Sequence, residues 1–196
     1  GLGDVYKRQV PGEQPNLPDM VKLNTNENPY PPSPKVAEAL QKFELDSLRL
    51  YPDPASTDLV NALAERYHVQ ADQVYTGVGS DDVLAIAFLT FFNSGKPILF
   101  PDITYSFYDV WAELFQIPYE RPALDDAFAL RLEDYQCENG GIVIANPNAP
   151  TGIRQSEEFL RAVIEANPNV VVIIDEAYAD FSGYTALPLS LIHISE

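Results

Sequence analysis

Two acidic residues and a tyrosine stand within four positions of one another near the end of the chain: Asp175, Glu176 and Tyr178, in the stretch VVVIIDEAY. The five residues before them, 170–174, are all β-branched and apolar, which predicts a strand buried on both faces of a parallel sheet. Asp175 would then stand at the carboxyl end of that strand, where open α/β sheets bind their ligands. Because a carboxylate is rarely buried without a partner, we expect Asp175 to face a positively charged group.

A glycine-containing stretch, TGVGSDD (76–82), is the candidate for an anion site. It follows a predicted strand and opens a predicted helix, so its glycines let the backbone approach a ligand while the first helical amides attract negative charge. Phosphate is the simplest such anion, although Ser80 and Asp81 serve equally well as ordinary helix caps. The stretch is not a dinucleotide-binding fingerprint, because Asp82 occupies the place of the third glycine. A nicotinamide-dependent oxidoreductase is therefore disfavoured.

Two more side chains follow predicted strands. Tyr105, in ITYSFY, could stack on a flat ring, although on that stretch alone a core aromatic residue is the better interpretation. Asn148, in the loop NPNAPTG, offers an amide donor and an amide acceptor, and the alternative is a plain proline-rich connection. A phosphate cradle, an aromatic ring, an amide and a carboxylate at the strand ends of one sheet would suit a planar, phosphorylated, cationic ligand. Pyridoxal phosphate has that shape.

The elements that must position these residues alternate along the chain. Strands are predicted at about 73–76, 97–100, 117–121, 142–145 and 170–174. Helices are predicted at about 34–43, 57–67, 81–92, 105–116, 132–136 and 156–166. This alternation predicts an α/β fold in which a mainly parallel sheet carries helices on both faces. The helix at 81–92 is apolar nearly all round, so we expect it to be buried.

The N-terminal part of the chain is predicted to be an extended arm, because the prolines between residues 10 and 34 exclude a long helix. One short strand is expected in it, at 21–23. We expect residues 10–55 to form this arm and part of a small domain, and residues 56–189 to form the sheet domain. Residues 1–9 and 190–196 fit neither and resemble translated sequencing-adapter sequence, so we exclude them as non-native tails. Natural termini are the alternative.

Composition narrows the partners that the chain can have. The formal net charge is −17, which argues against nucleic acid or an anionic membrane as the main partner. Hydrophobic residues make up 46% of the chain, so a sizeable core is possible, yet no apolar run reaches membrane-spanning length. The single cysteine, Cys137, excludes an internal disulfide and fits a reducing compartment. We therefore expect a cytoplasmic protein, and we identify no metal site.

Six stretches, in the same order and spacing, resemble the class I and II aminotransferases of pyridoxal-phosphate fold type I. They are LNTNENPYPPSP (23–34), LYPDP (50–54), GVGSDD (77–82), ITYSFY (103–108), ANPNAPTG (145–152) and IDEAYADF (174–181). Within that family the NENP and YPDP stretches are most similar to the histidinol-phosphate aminotransferases. The resemblance implies an incomplete large domain of that fold, a homodimer, and transfer of an amino group between L-histidinol phosphate and 2-oxoglutarate in histidine biosynthesis.

The resemblance also implies a role for each candidate residue. Asp175 would pair with the protonated ring nitrogen of pyridoxal phosphate, and Tyr178 and Asn148 would hydrogen-bond its phenolic oxygen. Asp175 and Tyr178 are therefore the catalytic candidates. The other implied contacts are phosphate binding by the backbone of Gly79, Ser80 and Asp81, ring stacking by Tyr105, a contact from Tyr51 to the neighbouring subunit's cofactor, and substrate binding by Asn26 and Asn28.

Two features depart from the family pattern. Ala149 stands where the family usually has a second asparagine, and we attach little weight to this because Asn148 is taken as the functional position. The family's Schiff-base lysine lies beyond the DEAY strand in a Ser-Lys motif, whereas Lys96 is the last lysine of this chain. We therefore expect a truncated, inactive piece of an enzyme. The alternatives that stay open are a threonine-phosphate decarboxylase, an aromatic aminotransferase and a non-catalytic cofactor-binding module.

Overall fold

The structure, a computed structural model, describes Val21 and residues 27–190. The chain divides into two compact units, one over Gln9–Thr76 and one that includes Gly77–Glu196. The domain boundary expected near residue 55 stays a prediction. In the described part of the chain, every helix falls short of the length and apolar character needed to cross a lipid bilayer.

The described part of the N-terminal unit contains four short helical segments. They are α1 (Pro34–Gln41), a 3-10 helix (Leu45–Arg49), α2 (Thr57–Tyr67) and a second 3-10 helix (Ala71–Gln73). Helix α1 begins where predicted, because the Ser33 hydroxyl accepts a hydrogen bond from the Lys35 amide and a proline opens the first turn. Among the described residues of these four segments, Ala64 alone is buried.

The predicted strand at 73–76 is wrong. Gln70 and Gln73 instead form a capping box at a 3-10 turn. The Gln70 backbone amide donates a hydrogen bond to Gln73 Oε1 at 2.8 Å, and the Gln70 side chain accepts one from the Gln73 backbone amide. Val74 is extended, at φ −116° and ψ 123°, but residues 74–76 pair with no strand in the described structure. The strand expected at 21–23 falls mostly outside the described residues, where Lys22 and Leu23 lie.

The C-terminal unit is built on a four-stranded sheet. Its strands are β1 (Ile98–Leu99), β2 (Tyr119–Glu120), β3 (Ile142–Ala145) and β4 (Val172–Asp175), in the spatial order β2-β1-β3-β4. The helices of this unit are α3 (Ser80–Phe91), α4 (Phe107–Leu114), α5 (Glu157–Ala166), α6 (Ala179–Ser182) and α7 (Leu187–Ser190), with a 3-10 helix at Leu132–Tyr135. Every strand pair is parallel, so the carboxyl ends meet at one edge of the sheet. The predicted parallel α/β fold is confirmed.

Side chains of the sheet alternate between two apolar cores, one on each face. Val143 and Ala145 of β3 join a core with aromatic residues of α3 and α4. Ile142 and Ile144, one position along, join a second core with residues of α5, α7 and the 3-10 helix that contains Tyr135. Helices therefore cover both faces of the sheet, as predicted.

Two expectations about burial are wrong in part. Helix α3 buries Leu84 and Phe88, but the side chains of Leu89 and Phe91 are 59% and 51% exposed. Strand β4 is half-buried, because it lies at an edge of the sheet and pairs with β3 on one side within the described structure. The apolar character of a segment thus predicts that it packs against other residues, but not that every face of it is buried within this chain.

Candidate functional site

A cavity of about 110 Å³ opens at the carboxyl edge of the sheet. Four segments wall it: the start of α3, the loop after β1, the loop after β3, and the end of β4 with the turn that follows. The lining residues are Ser80, Tyr105, Ala145, Pro147, Ala149, Asp175, Ala177 and Tyr178. Four residues that the sequence singled out, Ser80, Tyr105, Asp175 and Tyr178, are therefore brought together around one space.

Asp175 is the last residue of β4, and its carboxylate is held at both oxygens. The Tyr108 hydroxyl donates a hydrogen bond to Oδ2 at 2.6 Å, and the Ala177 amide donates to Oδ1 at 3.1 Å. The backbone is fixed as well, because the Asn146 amide donates to the Asp175 carbonyl at 2.8 Å. A hydrogen bond to a charged group stabilises by about 1.5–3 kcal/mol, so the carboxylate has a defined direction at the cavity wall.

Tyr108 was assigned no role from the sequence. It lies on α4, is fully buried, and reaches Asp175 with its hydroxyl. Burial, and after it the charge of the Asp175 carboxylate, raises the pKa of the Tyr108 hydroxyl above its ordinary value of 10.0. The hydroxyl therefore stays protonated and acts as a donor. A signal was present in ITYSFY, since Tyr108 follows Tyr105 by three residues and a buried tyrosine hydroxyl needs a partner.

The start of α3 is shaped to receive an anion. Gly79 precedes the helix at φ +93°, where a glycine is favoured, and no side chain among the described residues caps this helix start. The carboxylate of Asp82 turns back to accept a hydrogen bond from the Val78 amide at 3.2 Å. Ser80 is the first residue of the helix and not its cap. The first amides of α3 have no carbonyl partner within the helix, so they offer hydrogen bonds at its positive end.

Tyr105 is held in place by its ring and by its hydroxyl. The ring stacks on Phe107, with centroids 5.5 Å apart and planes at 17°, and meets the edge of Tyr108 at 5.7 Å. The hydroxyl donates to Asp81 Oδ1 at 2.8 Å. Burial, and then the bond to Asp81, raises the pKa of Tyr105. The carboxylate of Asp81 is thus engaged by Tyr105 and does not cap the helix.

Asn148 does not line the cavity. Its Nδ2 donates to the Ile103 carbonyl at 2.9 Å and to Thr151 Oγ1 at 3.0 Å, while its Oδ1 accepts from Thr104 Oγ1 at 2.8 Å. The neighbouring Ala149 lines the cavity in its place. The geometry therefore gives Asn148 a part in joining loops, and its contact with a cofactor oxygen stays a prediction without support here.

Tyr178 and Glu176 flank the end of β4 with different surroundings. Tyr178 lines the cavity, and its ring centroid lies 6.4 Å from that of Phe181. Glu176 accepts hydrogen bonds from Thr185 Oγ1 at 2.6 Å and from the Ala186 amide at 2.5 Å. Glu176 therefore has a structural contact network, which agrees with Asp175 being the carboxylate that faces the cavity.

The other predicted contacts lie in the N-terminal unit. Tyr51 has a fully exposed side chain, and Asn28 Oδ1 accepts a hydrogen bond from the Tyr30 amide at 2.9 Å. Asn26 lies outside the described residues. The roles of Tyr51, Asn26 and Asn28 stay predictions.

A larger cavity, of about 660 Å³, lies along the open side of β4. Its lining comes mostly from α5, β4 and α7, on the sheet face away from Tyr108, and includes Glu176. We assign function to the smaller cavity, because a carboxylate, two tyrosines and a helix start converge there. Within the described residues, no group of three or more His, Cys, Asp or Glu side chains is placed to hold a metal ion.

The family model for aminotransferase class I and II matches residues 18–192 of the chain. The chain belongs to this aminotransferase family. The match includes all the segments that wall the cavity.

This aminotransferase chain has close relatives among histidinol-phosphate aminotransferases. It is 53% identical to those of Lactococcus lactis subsp. cremoris (strain MG1363) and Chromohalobacter salexigens and 54% identical to that of Pseudomonas putida (strain W619), each over 180 residues. These alignments cover 92% of this chain and 51%, 51% and 52% of the relatives. The chain thus spans about half the length of the curated relatives it matches.

Solved aminotransferases share the fold. Histidinol-phosphate aminotransferase from Sinorhizobium meliloti in complex with pyridoxal-5′-phosphate matches with a TM-score of 0.72 and 23% identity, over 80% of this chain and 44% of that one. The enzyme from Clostridium acetobutylicum matches with a TM-score of 0.67 and 21% identity, over 76% of this chain and 45% of that one. Because the sequence identities are 23% and 21%, these structural matches show a shared fold and nothing more.

Proposed function

We propose that this chain carries the pyridoxal-phosphate site of a histidinol-phosphate aminotransferase. Relatives of that name at 53–54% identity over 92% of the chain support the amino donor. The convergence of the Asp175 carboxylate and an uncapped helix start on one cavity is the observation that carries the cofactor assignment.

The residues around the cavity fit pyridoxal phosphate, which has a flat ring, a basic ring nitrogen, a phosphate and a phenolic oxygen. Asp175 offers an anion for the ring nitrogen, and the first amides of α3 offer hydrogen bonds for the phosphate. Tyr105 offers an aromatic face, and Tyr178 offers a hydroxyl for the ring oxygen. Each of the four chemical features of the cofactor therefore has a counterpart in the cavity wall.

Pyridoxal phosphate, when bound, supplies an electron sink for negative charge that develops on the substrate's amino-bearing carbon. Asp175 would keep a positive charge on the ring nitrogen beside it, since an adjacent carboxylate favours the protonated form. Tyr178 would donate a hydrogen bond to the ring oxygen. Tyr105, fixed by Phe107 and Asp81, would hold one face of the site and exclude water from it.

Transamination also needs a base that moves a proton at the substrate carbon. Among the described residues that line the cavity there is no lysine. Lys96 precedes β1, so it lies at the amino edge of the sheet, and it pairs with Glu138 at 2.7 Å. We therefore assign this role to a lysine outside the sequence given, and activity to the complete protein.

The remaining parts of the proposal concern substrates and assembly. The amino donor is L-histidinol phosphate, the acceptor is 2-oxoglutarate, and Asn26 and Asn28 lie near the substrate. The complete protein is a cytoplasmic homodimer in which the exposed Tyr51 reaches the neighbouring subunit's cofactor.

Binding of pyridoxamine 5′-phosphate tests the cofactor site directly, because this form has no aldehyde and needs no lysine. We expect titration calorimetry to show one site per chain, and Asp175→Asn to weaken binding about tenfold or more, since the ring nitrogen loses its anionic partner. Asp180→Asn, which changes an acidic residue of α6 outside the cavity lining, is the control and should leave the affinity within about twofold. Equal affinities of wild type and Asp175→Asn would contradict the assignment.

The substrate is tested on the complete protein expressed from its gene. We expect amino transfer from L-histidinol phosphate that depends on 2-oxoglutarate. In a parallel assay with L-threonine phosphate, release of CO2 that does not depend on a keto acid would instead identify a decarboxylase.

A further inference from the structure

We propose that Tyr108 is a positioning residue for the ring nitrogen of the cofactor and that it acts through Asp175. The inference rests on the proposed function and extends it to a residue behind the cavity wall. Tyr108 is not among the residues that line the cavity, yet its hydroxyl lies 2.6 Å from Asp175 Oδ2. Any effect of the Tyr108 hydroxyl on a bound ligand must therefore pass through the carboxylate.

The ring of Tyr108 is fixed inside the aromatic core. It stacks with Phe88 at a centroid distance of 6.1 Å and meets Phe100 nearly edge-on at 5.8 Å. No part of the residue is exposed to solvent. Because the ring cannot swing without breaking these contacts, the hydroxyl is delivered to one fixed position.

The position of the Tyr108 hydroxyl determines the orientation of the Asp175 carboxylate. The Ala177 amide binds Oδ1 at 3.1 Å, and the Tyr108 hydroxyl binds Oδ2 at 2.6 Å from the core side. With both oxygens bonded, the carboxylate group cannot rotate freely, and its remaining lone pairs are available toward the cavity. Without the hydroxyl, Oδ2 would lose its donor on the side of the aromatic core, which favours a turned carboxylate.

Tyr108 also touches the residue proposed for the ring face. Its ring meets that of Tyr105 at 81°, with centroids 5.7 Å apart. One buried side chain therefore contacts both the proposed charge partner and the proposed stacking partner of the cofactor. Tyr108→Phe separates these two contacts, because it removes the hydrogen bond to Asp175 and keeps the ring contact with Tyr105.

The test compares two ligands that differ at one atom. The first is pyridoxamine 5′-phosphate, and the second is its analogue with carbon in place of the ring nitrogen. We expect Tyr108→Phe to weaken binding of the first about tenfold and of the second by less than about twofold. Tyr135→Phe is the matched control: Tyr135 is also fully buried, in the core on the other face of the sheet, and its hydroxyl has no partner in the described structure.

Each outcome is informative. Equal weakening for both ligands would mean that Tyr108 only supports the fold, and an unchanged affinity for the pyridine ligand would mean that it has no such role. Either result would overturn the inference while leaving the proposed function intact. Failure of the wild-type chain to bind the pyridine ligand would overturn the proposed function and the role of Tyr108 with it.

A double-mutant cycle checks that Tyr108 acts through Asp175. In the Asp175→Asn background, Tyr108→Phe should weaken binding of the pyridine ligand by less than a further twofold or so. A full tenfold loss in that background would show that Tyr108 acts independently and would overturn the inference. Thermal unfolding of each variant identifies a temperature at which all are folded, so that the affinities are comparable.

Discussion

The Thr104 hydroxyl donates a hydrogen bond to Asn148 Oδ1 at 2.8 Å, and this bond joins the loop after β1 to the loop after β3. The Asn148 amide group completes the junction by donating to the Ile103 carbonyl on one side and to Thr151 on the other. Two of the segments that wall the cavity are therefore held together by a single buried asparagine.

Asn148→Ala should destabilise the chain by about 2 kcal/mol. The change removes three hydrogen bonds and leaves the Ile103 carbonyl and the Thr104 hydroxyl without this partner. Urea unfolding measures the free-energy difference. Asn93→Ala, which removes one exposed bond to the Thr90 carbonyl, is the control and should cost no more than about 0.5 kcal/mol. Similar losses for the two variants would show that Asn148 does not join the loops.

Gly79→Ala should reduce both stability and anion binding. Alanine at φ +93° costs about 1–3 kcal/mol in backbone strain, although its methyl group would meet no atom within 4 Å. Gly95→Ala is the matched control, because Gly95 also has a positive φ, +77°, and open space around it. Both variants should lose stability in urea, but only Gly79→Ala should weaken binding of pyridoxamine 5′-phosphate. Equal binding by the two variants would remove Gly79 from the phosphate site.

The stability of the chain should fall above about pH 10. Burial raises the pKa of Tyr108 and of Tyr135 in the folded state above the value of 10.0 that applies when they are exposed. Above pH 10 the unfolded state loses these protons first, so the stabilisation is complete below pH 10 and is lost as the pH rises toward the folded-state pKa values. Each tyrosine contributes a slope of about 1.4 kcal/mol per pH unit in that window.

Urea midpoints at about pH 9, 10 and 11 measure this slope. Tyr108→Phe and Tyr135→Phe should each flatten it by the contribution of one tyrosine. A slope that neither substitution changes would assign the alkaline loss to other groups.

The chain as given should show no transaminase turnover. Its last lysine, Lys96, is held by Glu138 at the amino edge of the sheet, and the described residues that line the cavity include no lysine that could move the substrate's proton. An assay of glutamate formation from L-histidinol phosphate and 2-oxoglutarate, with pyridoxal phosphate added, measures this, with binding of pyridoxamine 5′-phosphate as the check that the chain is folded. Turnover above the rate of the free cofactor would contradict the expectation.

The strand ends were the predictable part of the site. One run of β-branched residues stops at Asp175 and another stops at Ala145. Such runs are typical of strands in a buried parallel sheet, and the carboxyl ends of parallel strands meet at one edge. The position of the site therefore follows from the pattern. The glycine-containing loop was predictable for a different reason: only glycine adopts the backbone angles of Gly79 without strain.

The remaining features depend on contacts that no local pattern contains. Asn148 and Ala149 are adjacent in one loop, and which of them faces the cavity is decided by Thr104 and Ile103, more than forty residues earlier in the sequence. The contact from Tyr108 to Asp175 spans 67 residues in the same way. A short strand was predicted at 73–76, but in the described structure Val74 is extended without pairing to another strand.

The pairing of β3 with β4 sets Ala145 opposite Asp175. A slip of one residue would turn every side chain of β4 to the opposite face, and a carboxylate one methylene longer, that of Glu176, could then enter the cavity. The bonds of Glu176 to Thr185 and to the Ala186 amide would be lost in that alignment. Glu176 therefore helps to fix the register of β4 from outside the smaller cavity, because its two bonds are present in the alignment that places Asp175 at that cavity.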